Sequence, residues 1–123
     1  MVEIAKEKNL SKDEQESCFI IGYNHDIGYE FAEDTSVHNF IGGNLLKSAN
    51  FKYWEEIYYH GEINPNFSSK YLDILNMADM QIDKYGNDIG YDKRLEDIGS
   101  RYGFDSKIFI KAKTLINLLR KKD

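Results

Sequence analysis

Three histidines and two aspartates are the side chains of this chain best suited to metal chemistry. His25 and Asp26 lie side by side where a largely apolar segment turns polar and ends in a glycine. Buried imidazoles and carboxylates are costly unless they are hydrogen-bonded, paired or bound to a metal. Further ligand-type residues follow at His38, His60 and Asp79, and we expect each on the apolar face of its own helix. The pattern therefore predicts a metal site whose ligands come from several helices.

Each of these residues also has a purely structural interpretation. A single histidine on an apolar helix face is more often a hydrogen-bonded core residue than a ligand. A single buried aspartate can cap a neighbouring helix or bond to a loop. The metal hypothesis therefore depends on the combination of five such residues along one chain. Mixed imidazole and carboxylate ligands favour a divalent transition metal (Mn, Fe, Zn, Ni or Co) over Ca or Mg.

The elements that must position these residues are predicted to be helices, and no segment alternates with the period of a strand. Ser11 and Glu14 form a capping box, which opens a helix that runs to about Asp26. Two further helices are predicted over Val2 to Asn9 and Phe51 to His60, and a third is capped by Thr35 or Ser36 and ends at Ala49. Another helix is opened by Ser68 or Ser69 and carries Leu72, Leu75, Asp79 and Ile82 on one stripe. The last two are a helix that ends at Tyr102 with Gly103 as its cap and a helix capped by Asp105. We expect an all-α fold, a single-domain bundle of about six helices over residues 1–123.

Helical spacing also predicts which faces point inward. The predicted inner faces are Cys18, Ile21, Gly22 and His25 in one helix, and His38, Ile41, Gly42, Leu45 and Ala49 in the next. Glycine inside a helix costs about 1 kcal/mol relative to alanine. Because Gly42 and Gly43 occur together, something approaches that helix closely. Two explanations stay open, another helix or a bound ligand.

The composition limits the partners and the compartment. The chain has 123 residues, a net charge of −5 and no long basic stripe, so duplex nucleic acid is not an expected partner. Its single cysteine excludes an intrachain disulfide and is typical of a reducing compartment. We see no apolar run of membrane-spanning length and no signal-peptide pattern. These features predict a cytoplasmic protein without a membrane partner.

The ordered set of ligand-type residues resembles the HD-domain phosphohydrolase superfamily, in the branch that carries His-Asp-Ile-Gly. The matching segments are Asn24-His25-Asp26-Ile27-Gly28-Tyr29, His38-Asn39-Phe40-Ile41-Gly42-Gly43, Tyr59-His60 and Ala78-Asp79-Met80, and a tail with Arg94-Leu95-Glu96-Asp97-Ile98 and Arg101-Tyr102-Gly103. The resemblance covers nearly the whole chain. It implies that His25, Asp26 and Asp79 bind one metal ion, and that His38 and His60 bind a second ion or the substrate phosphate.

The resemblance implies a metal-dependent phosphohydrolase that acts on a nucleotide or another phosphate ester. In such an enzyme a metal-bound hydroxide attacks phosphorus, because the metal lowers the pKa of its water towards ~7. The residues given catalytic roles by the resemblance are Asp26, His38 and His60. The candidates for binding the phosphate charge of the substrate are Lys47, Lys84 and Arg94. For Arg94 the alternative is an ion pair with Asp97 at helical spacing.

One departure from the family pattern concerns the first helix. The first ligand of the family is a histidine on a helix that precedes the His-Asp helix, and no histidine precedes His25 here. We therefore expect a shortened N-terminal helix, a weaker metal site, and apolar surface at Ile4, Cys18, Ile20 and Ile21 that favours a homo-oligomer. Two other functions stay open: a degenerate HD domain that binds a nucleotide or a protein partner without turnover, and a purely structural helical domain.

Overall fold

The computed structural model describes residues 1–25, 38–63, 65–83 and 85–122. Within these ranges the chain forms helices and one isolated bridge between Ile82 and Asp88, without a strand. The helices are α1 (Val2–Glu7), α2 (Lys12–Asn24), α3 (His38–Ser48), α4 (Trp54–Tyr59), α5 (Lys70–Asp79), α6 (Gly90–Tyr102) and α7 (Lys107–Arg120). The predicted all-α class is therefore confirmed. Across the described ranges, none of these helices is both long enough and apolar enough to span a membrane.

The chain divides into two compact units, Met1–Leu75 and Asn76–Asp123. Helices α1 to α4 belong to the first unit, and α6 and α7 belong to the second. Helix α5 begins in the first unit and ends in the second. A single domain over residues 1–123 stays a prediction.

Local hydrogen bonds explain where several helices begin. The predicted capping box of α2 is present, because Ser11 Oγ accepts from the Glu14 N–H and Glu14 Oε1 accepts from the Ser11 N–H, both at 3.1 Å. Ser69, one of the two predicted caps, opens α5 by accepting the Leu72 N–H at 3.0 Å. The predicted cap Asp105 is wrong. Ser106 caps α7 instead, since its extended backbone lets Oγ accept the Phe109 N–H at 3.1 Å.

Two apolar clusters lie in the core of the described part of the first unit. One contains Ile21, Leu46, Ile57 and Leu75, and the other contains Ala5, Cys18 and Ile74. The expected exposure of Cys18 and Ile21 is wrong, because both are 0% exposed. Helix α1 packs against α2 through the Ala5–Cys18 cluster, and Ile21 is buried against α3, α4 and α5. Ile4 is partly buried, and only Ile20 of the four expected residues, 38% exposed, lies at the surface.

Helices α3 and α4 pack closely against each other, and their approach corrects the predicted inner face of α3. The buried residues of α3 are Asn39, Gly42, Gly43 and Leu46, whereas Leu45 and Ala49 are exposed. A Cβ atom added at Gly43 would lie 2.4 Å from the Tyr58 Cβ. Helix packing therefore explains the glycine pair, and the point of closest approach at Gly43 turns the buried face by one residue.

In the second unit α6 packs against α7. The Phe104 ring lies over Gly99, where an added Cβ would come within 2.4 Å of the ring, and Arg120 Nη2 lies 2.7 Å from Asp92 Oδ1. Gly103 ends α6, as predicted, with a φ of 97° that favours glycine.

Candidate histidine centre

The three histidines converge in the first unit from the ends of three different helices. His25 is the C-cap of α2, His38 is the first residue of α3, and His60 is the C-cap of α4. The ring centroid of His60 lies 5.5 Å from that of His25 and 5.0 Å from that of His38, and both contacts are edge-on. His60 is buried, with 2% exposure, and the other two are half-buried. We refer to these three residues as the histidine centre.

Backbone carbonyls hold two of the three rings in the same way. His60 Nδ1 lies 2.5 Å from the Ile57 carbonyl oxygen, and His25 Nδ1 lies 2.6 Å from the Gly22 carbonyl oxygen. A carbonyl only accepts, so Nδ1 carries the hydrogen in both rings, and Nε2 of the neutral ring is then an acceptor. Metal-binding histidines commonly donate their other ring N–H to a carbonyl in this manner. The arrangement therefore presents Nε2 of His25 and His60 in the form that metal binding requires.

The short helix α4 explains why His60 is held so firmly. The last carbonyls of a helix have no partner within the helix. Here the Ile57 carbonyl accepts from His60 Nδ1, the Tyr58 carbonyl accepts from Asn39 Nδ2 at 2.8 Å, and the Tyr59 carbonyl accepts from the Glu62 N–H at 3.1 Å. The hydrogen bond that satisfies the Ile57 carbonyl at the end of α4 therefore also fixes the orientation of the His60 ring.

His38 and His60 face each other through their Nε2 atoms, which are 3.1 Å apart. Two interpretations fit this distance. It is the length of an N–H···N hydrogen bond, in which His38 donates and His60 accepts. It also fits a shared metal, because two nitrogens bound to one ion at ~2.0–2.1 Å lie roughly 2.9–3.4 Å apart. The pair can therefore provide two of the ligands that a transition metal requires.

Further ligands are not assembled within the described ranges, where no group of three or more histidine, cysteine, aspartate or glutamate side chains is arranged to hold a metal ion. The predicted ligand Asp26 lies outside the described residues. Asp79, the last residue of α5, is half-buried in the second unit, and its carbonyl accepts from Arg94 Nε at 3.3 Å. The roles of Asp26 and Asp79 as ligands stay predictions.

Two of the three basic residues predicted to bind phosphate have other partners in the described structure. Lys47 places its Nζ 4.7 Å from the centroid of the Trp54 ring, a cation–π contact. Arg94 is only 18% exposed, and its Nη1 lies 3.3 Å from Asp97 Oδ2, the helical ion pair that was its alternative. Lys84 lies outside the described residues. Substrate binding by these three residues stays a prediction.

Helix α4 also carries a buried carboxylate, Glu56, which is not among the predicted site residues. Glu56 is 6% exposed, and its Oε2 accepts from Ser69 Oγ at 3.0 Å. Burial raises the pKa of the Glu56 carboxyl, while the hydrogen bond from Ser69 opposes that rise. Because Ser69 also caps α5, this carboxylate joins α4 to the start of α5.

Sequence reasoning missed two residues beside the histidine centre, Asn39 and Glu62. Asn39 Nδ2 donates to the Tyr58 carbonyl and to Glu62 Oε1, at 2.8 and 3.2 Å. The signal that could have found Asn39 is its position four residues before Gly43, which puts both on one helix face. Nothing in the sequence marked Glu62.

Comparison of the chain with protein-family models, with curated proteins and with solved structures found no match. The likeness to the HD superfamily therefore stays a prediction from the residues quoted above. What the structure contributes is the meeting of three predicted site residues, His25, His38 and His60, from separate helices.

Proposed function

We propose that this chain is a metal-dependent phosphohydrolase of the HD superfamily that acts on a nucleotide or another phosphate ester. The observation that carries the proposal is the histidine centre, in which His25, His38 and His60 meet from three helix ends. The His38 and His60 Nε2 atoms are 3.1 Å apart, a separation that fits two ligands of one ion. The resemblance to the superfamily supplies the reaction, and the geometry supports the metal.

One or two divalent transition ions, Mn, Fe, Zn, Ni or Co, fit the donor set. By the resemblance, His25 would hold one ion with Asp26 and Asp79. His38 and His60 would bind a second ion or the substrate phosphate. A metal held by these residues would lower the pKa of a water molecule bound to it and so supply a nucleophile near neutral pH.

The residues of the chain have separate tasks in this proposal. The Ile57 and Gly22 carbonyls hold the His60 and His25 rings, so the site is organised before a substrate arrives. His38 is half-buried, and its Nε2 lies 3.1 Å from that of His60, so one proton can be held between the two rings. If His38 binds no ion and the His60 Nε2 binds a metal, that Nε2 no longer accepts, and the His38 Nε2–H can instead donate to a phosphoryl oxygen and offset its charge.

Metal analysis of protein purified without chelator tests the proposal. We expect roughly stoichiometric transition metal in the wild type and its loss in His25→Ala and His60→Ala, with phosphate release from a panel of nucleotides and simple phosphate esters. Asn44→Ala is the matched control, because Asn44 is exposed on α3 and should leave metal content and turnover unchanged. Folded protein that binds none of Mn, Co or Zn on titration, and hydrolyses nothing in the panel, would contradict the proposal.

A second candidate is a degenerate HD domain that binds a nucleotide or a protein partner without turnover. It is favoured by the 3.1 Å separation of the His38 and His60 Nε2 atoms, which a direct N–H···N hydrogen bond explains without a metal. Isothermal titration of metal-free protein with nucleotides separates the two candidates, since only the degenerate domain should bind tightly without metal and release no phosphate.

The predicted cytoplasmic location and self-association belong to the same proposal. The single cysteine, buried at Cys18, accords with a reducing compartment. The stacked pair Phe19 and Tyr23 on α2, 61% and 82% exposed, is an apolar surface of the kind that self-association uses. Sedimentation velocity over a range of concentrations measures whether a dimer forms.

A further inference from the structure

Asn39 is a buried amide directly beside the histidine centre. It follows His38 in the first turn of α3 and is 3% exposed, so its polar atoms need partners inside the protein. Its Nδ2 donates to the Tyr58 carbonyl at 2.8 Å and to Glu62 Oε1 at 3.2 Å. Both partners only accept, and this fixes which end of the amide points toward them. These two partners lie two residues before and two residues after His60.

A second contact on the same face of α3 limits how α3 and α4 can move against each other. Gly43 lies one turn after Asn39, and a Cβ there would come within 2.6 Å of the Tyr58 Cα. The two backbones therefore touch at Gly43 and Tyr58, while the Asn39 amide ties α3 to the residues on both sides of His60. A close approach and a pair of hydrogen bonds, one turn apart, define one register between the helices.

We propose that Asn39 is a positioning residue that holds His38 against His60 and so sets the 3.1 Å separation of their Nε2 atoms. It acts through the two helices and not by touching a ligand. The inference rests on the proposed function only in what it says the histidine pair is used for. The hydrogen bonds themselves are independent of any metal or substrate.

The positioning has a spectroscopic signature in metal-free protein. The Ile57 carbonyl keeps the hydrogen of neutral His60 on Nδ1, so His60 Nε2 accepts and His38 Nε2–H donates. Proton–nitrogen correlation spectra of the imidazoles report which nitrogen of each ring carries the hydrogen. We expect His38 to be locked in the Nε2–H form as long as Asn39 holds the two helices in register.

The test compares two asparagines of the same helix. Asn39→Ala and Asn39→Leu remove the amide at the histidine centre, and Asn44→Ala and Asn44→Leu make the same changes at an exposed position of α3. We expect the Asn39 variants to lose the locked His38 form and the Asn44 variants to keep it. In titrations with Zn²⁺, the Asn39 variants should bind about 10–100-fold more weakly, the usual effect of losing support behind a metal ligand. Glu62→Gln should behave as the wild type, because its amide oxygen can still accept from Asn39.

A measurement on the wild type covers the case in which the Asn39 variants fail to fold. The side-chain amide protons of Asn39 should exchange with solvent at least tenfold more slowly than those of Asn44. Equal exchange rates would overturn the proposal, as would a locked His38 form that persists in the folded Asn39 variants. If the Asn39 variants unlock His38 while no variant and not even the wild type binds metal, the positioning role stands and the proposed function fails.

Discussion

At the scale of single residues, the structure shows how the carbonyls at a helix end can fix the orientation and tautomer of a histidine ring. His25 and His60 both follow the last residue of a helix and both bond back to a carbonyl three residues earlier. The sequence could indicate that these residues lie at helix ends, because polar residues and turn formers follow them. It could not indicate ring orientation, which depends on which carbonyls at the end of α4 are left for Asn39 and Glu62 to satisfy.

Asp97 offers a prediction at this scale. Its hydrogen bond with Arg101, 2.5 Å from Arg101 Nη2 to Oδ2, lowers the pKa of the Asp97 carboxyl below its ordinary value near 3.8. A lowered pKa in the folded state contributes stability above the unfolded pKa and loses it as the pH falls through the folded value. We expect Asp97→Asn to be less stable than the wild type at pH 7, with the difference beginning to shrink below about pH 4 and vanishing once the pH has fallen through the lowered folded pKa.

Urea denaturation at a series of pH values measures this difference. Arg101→Gln is the informative control, because it removes the Arg101 hydrogen bond, the largest cause of the lowered Asp97 pKa, and leaves the Asp97 carboxyl in place. In an Arg101→Gln background, the Asp97→Asn change should have a much smaller pH-dependent effect. If the free energies of unfolding of the wild type and the Asp97→Asn variant differ by the same amount at pH 7 and pH 3, the assigned stabilisation by the Asp97–Arg101 pair is refuted.

At the scale of elements, the pairing of α3 with α4 shows what periodicity can and cannot predict. The repeat of apolar residues correctly indicated that α3 is a helix with one buried side. It misplaced that side by about one residue, because apolar side chains such as Ile41 and Leu45 outweigh glycine in such a pattern. Gly42 is buried as predicted, whereas Leu45 is exposed. The buried side is centred on Gly43, where the absence of a side chain lets the α4 backbone approach. A close approach that depends on the absence of a side chain gives no signal in the apolar pattern of a sequence.

A glycine pair tests this interpretation. Gly43→Ala would put a Cβ 2.4 Å from the Tyr58 Cβ and force α3 away from α4, which we expect to cost about 1–3 kcal/mol. Gly22→Ala is the matched control within α2, since its Cβ would meet only the Met1 side chain at 3.5 Å. That control should be neutral or should stabilise the protein by up to about 1 kcal/mol, because alanine favours helix.

Thermal and urea unfolding of the two variants give the comparison directly. The Gly43→Ala variant should also weaken metal binding, because its strain falls on the α3–α4 register. Equal stability of the two alanine variants would show that the helices separate without cost, and the register argument would then be wrong.

Glu56 gives a prediction for the junction of α4 and α5. Because burial raises the pKa of the Glu56 carboxyl above its ordinary value of 4.5, the folded state favours the protonated form. The associated stability is present at low pH and is lost as the pH rises from about 4.5 through the folded pKa. We expect Glu56→Gln to resemble the wild type at pH 4 and to be more stable at pH 7, since its oxygen can still accept from Ser69.

Guanidinium unfolding at pH 4 and pH 7 tests this expectation. Glu55→Gln, the neighbouring carboxylate of the same helix, controls for the loss of one negative charge in the first turn of α4. Only the Glu56 variant should gain stability on going from pH 4 to pH 7 relative to the wild type. A Glu56→Gln variant that is less stable at pH 7 would mean that the charged carboxylate is needed there.

At the scale of the whole molecule, composition and periodicity were enough to predict an all-α chain and several of its caps, because those depend on nearby residues. The meeting of His25, His38 and His60 accords with the expectation that each lies on the inner face of its own helix. The chain's division into two units was not foreseeable, because no linker composition marks the boundary at Leu75 and Asn76. Long-range contacts such as Asn39 with Glu62 are set by tertiary packing and have no local pattern.

Cys18 provides a prediction at this scale. It is the single cysteine of the chain and is 0% exposed, and burial raises the pKa of its thiol. Labelling by iodoacetamide therefore requires the first unit to open. If Mn²⁺ binds the histidine centre of the folded state, then a concentration of 100 times its Kd should slow labelling about 100-fold. Mn²⁺ is the suitable ion because, unlike Zn²⁺, it is not selected by thiolates.

His60→Ala is the control for this experiment. It should label at the same rate with and without Mn²⁺, because the ion no longer stabilises the folded state. Slowing of the same size in the wild type and in His60→Ala would place the Mn²⁺ effect elsewhere in the molecule.

The spacing of the hydrogen bonds around the histidines has a consequence for how the protein acquires its structure. The bonds from His25 and His60 to their carbonyls each span three residues, whereas the contact between His38 and His60 spans 22. Local bonds form with the helix itself, while distant pairs must wait for the intervening chain to close. During refolding, two rings should therefore reach their final tautomer early, and the third should follow in the slower step that docks the helices.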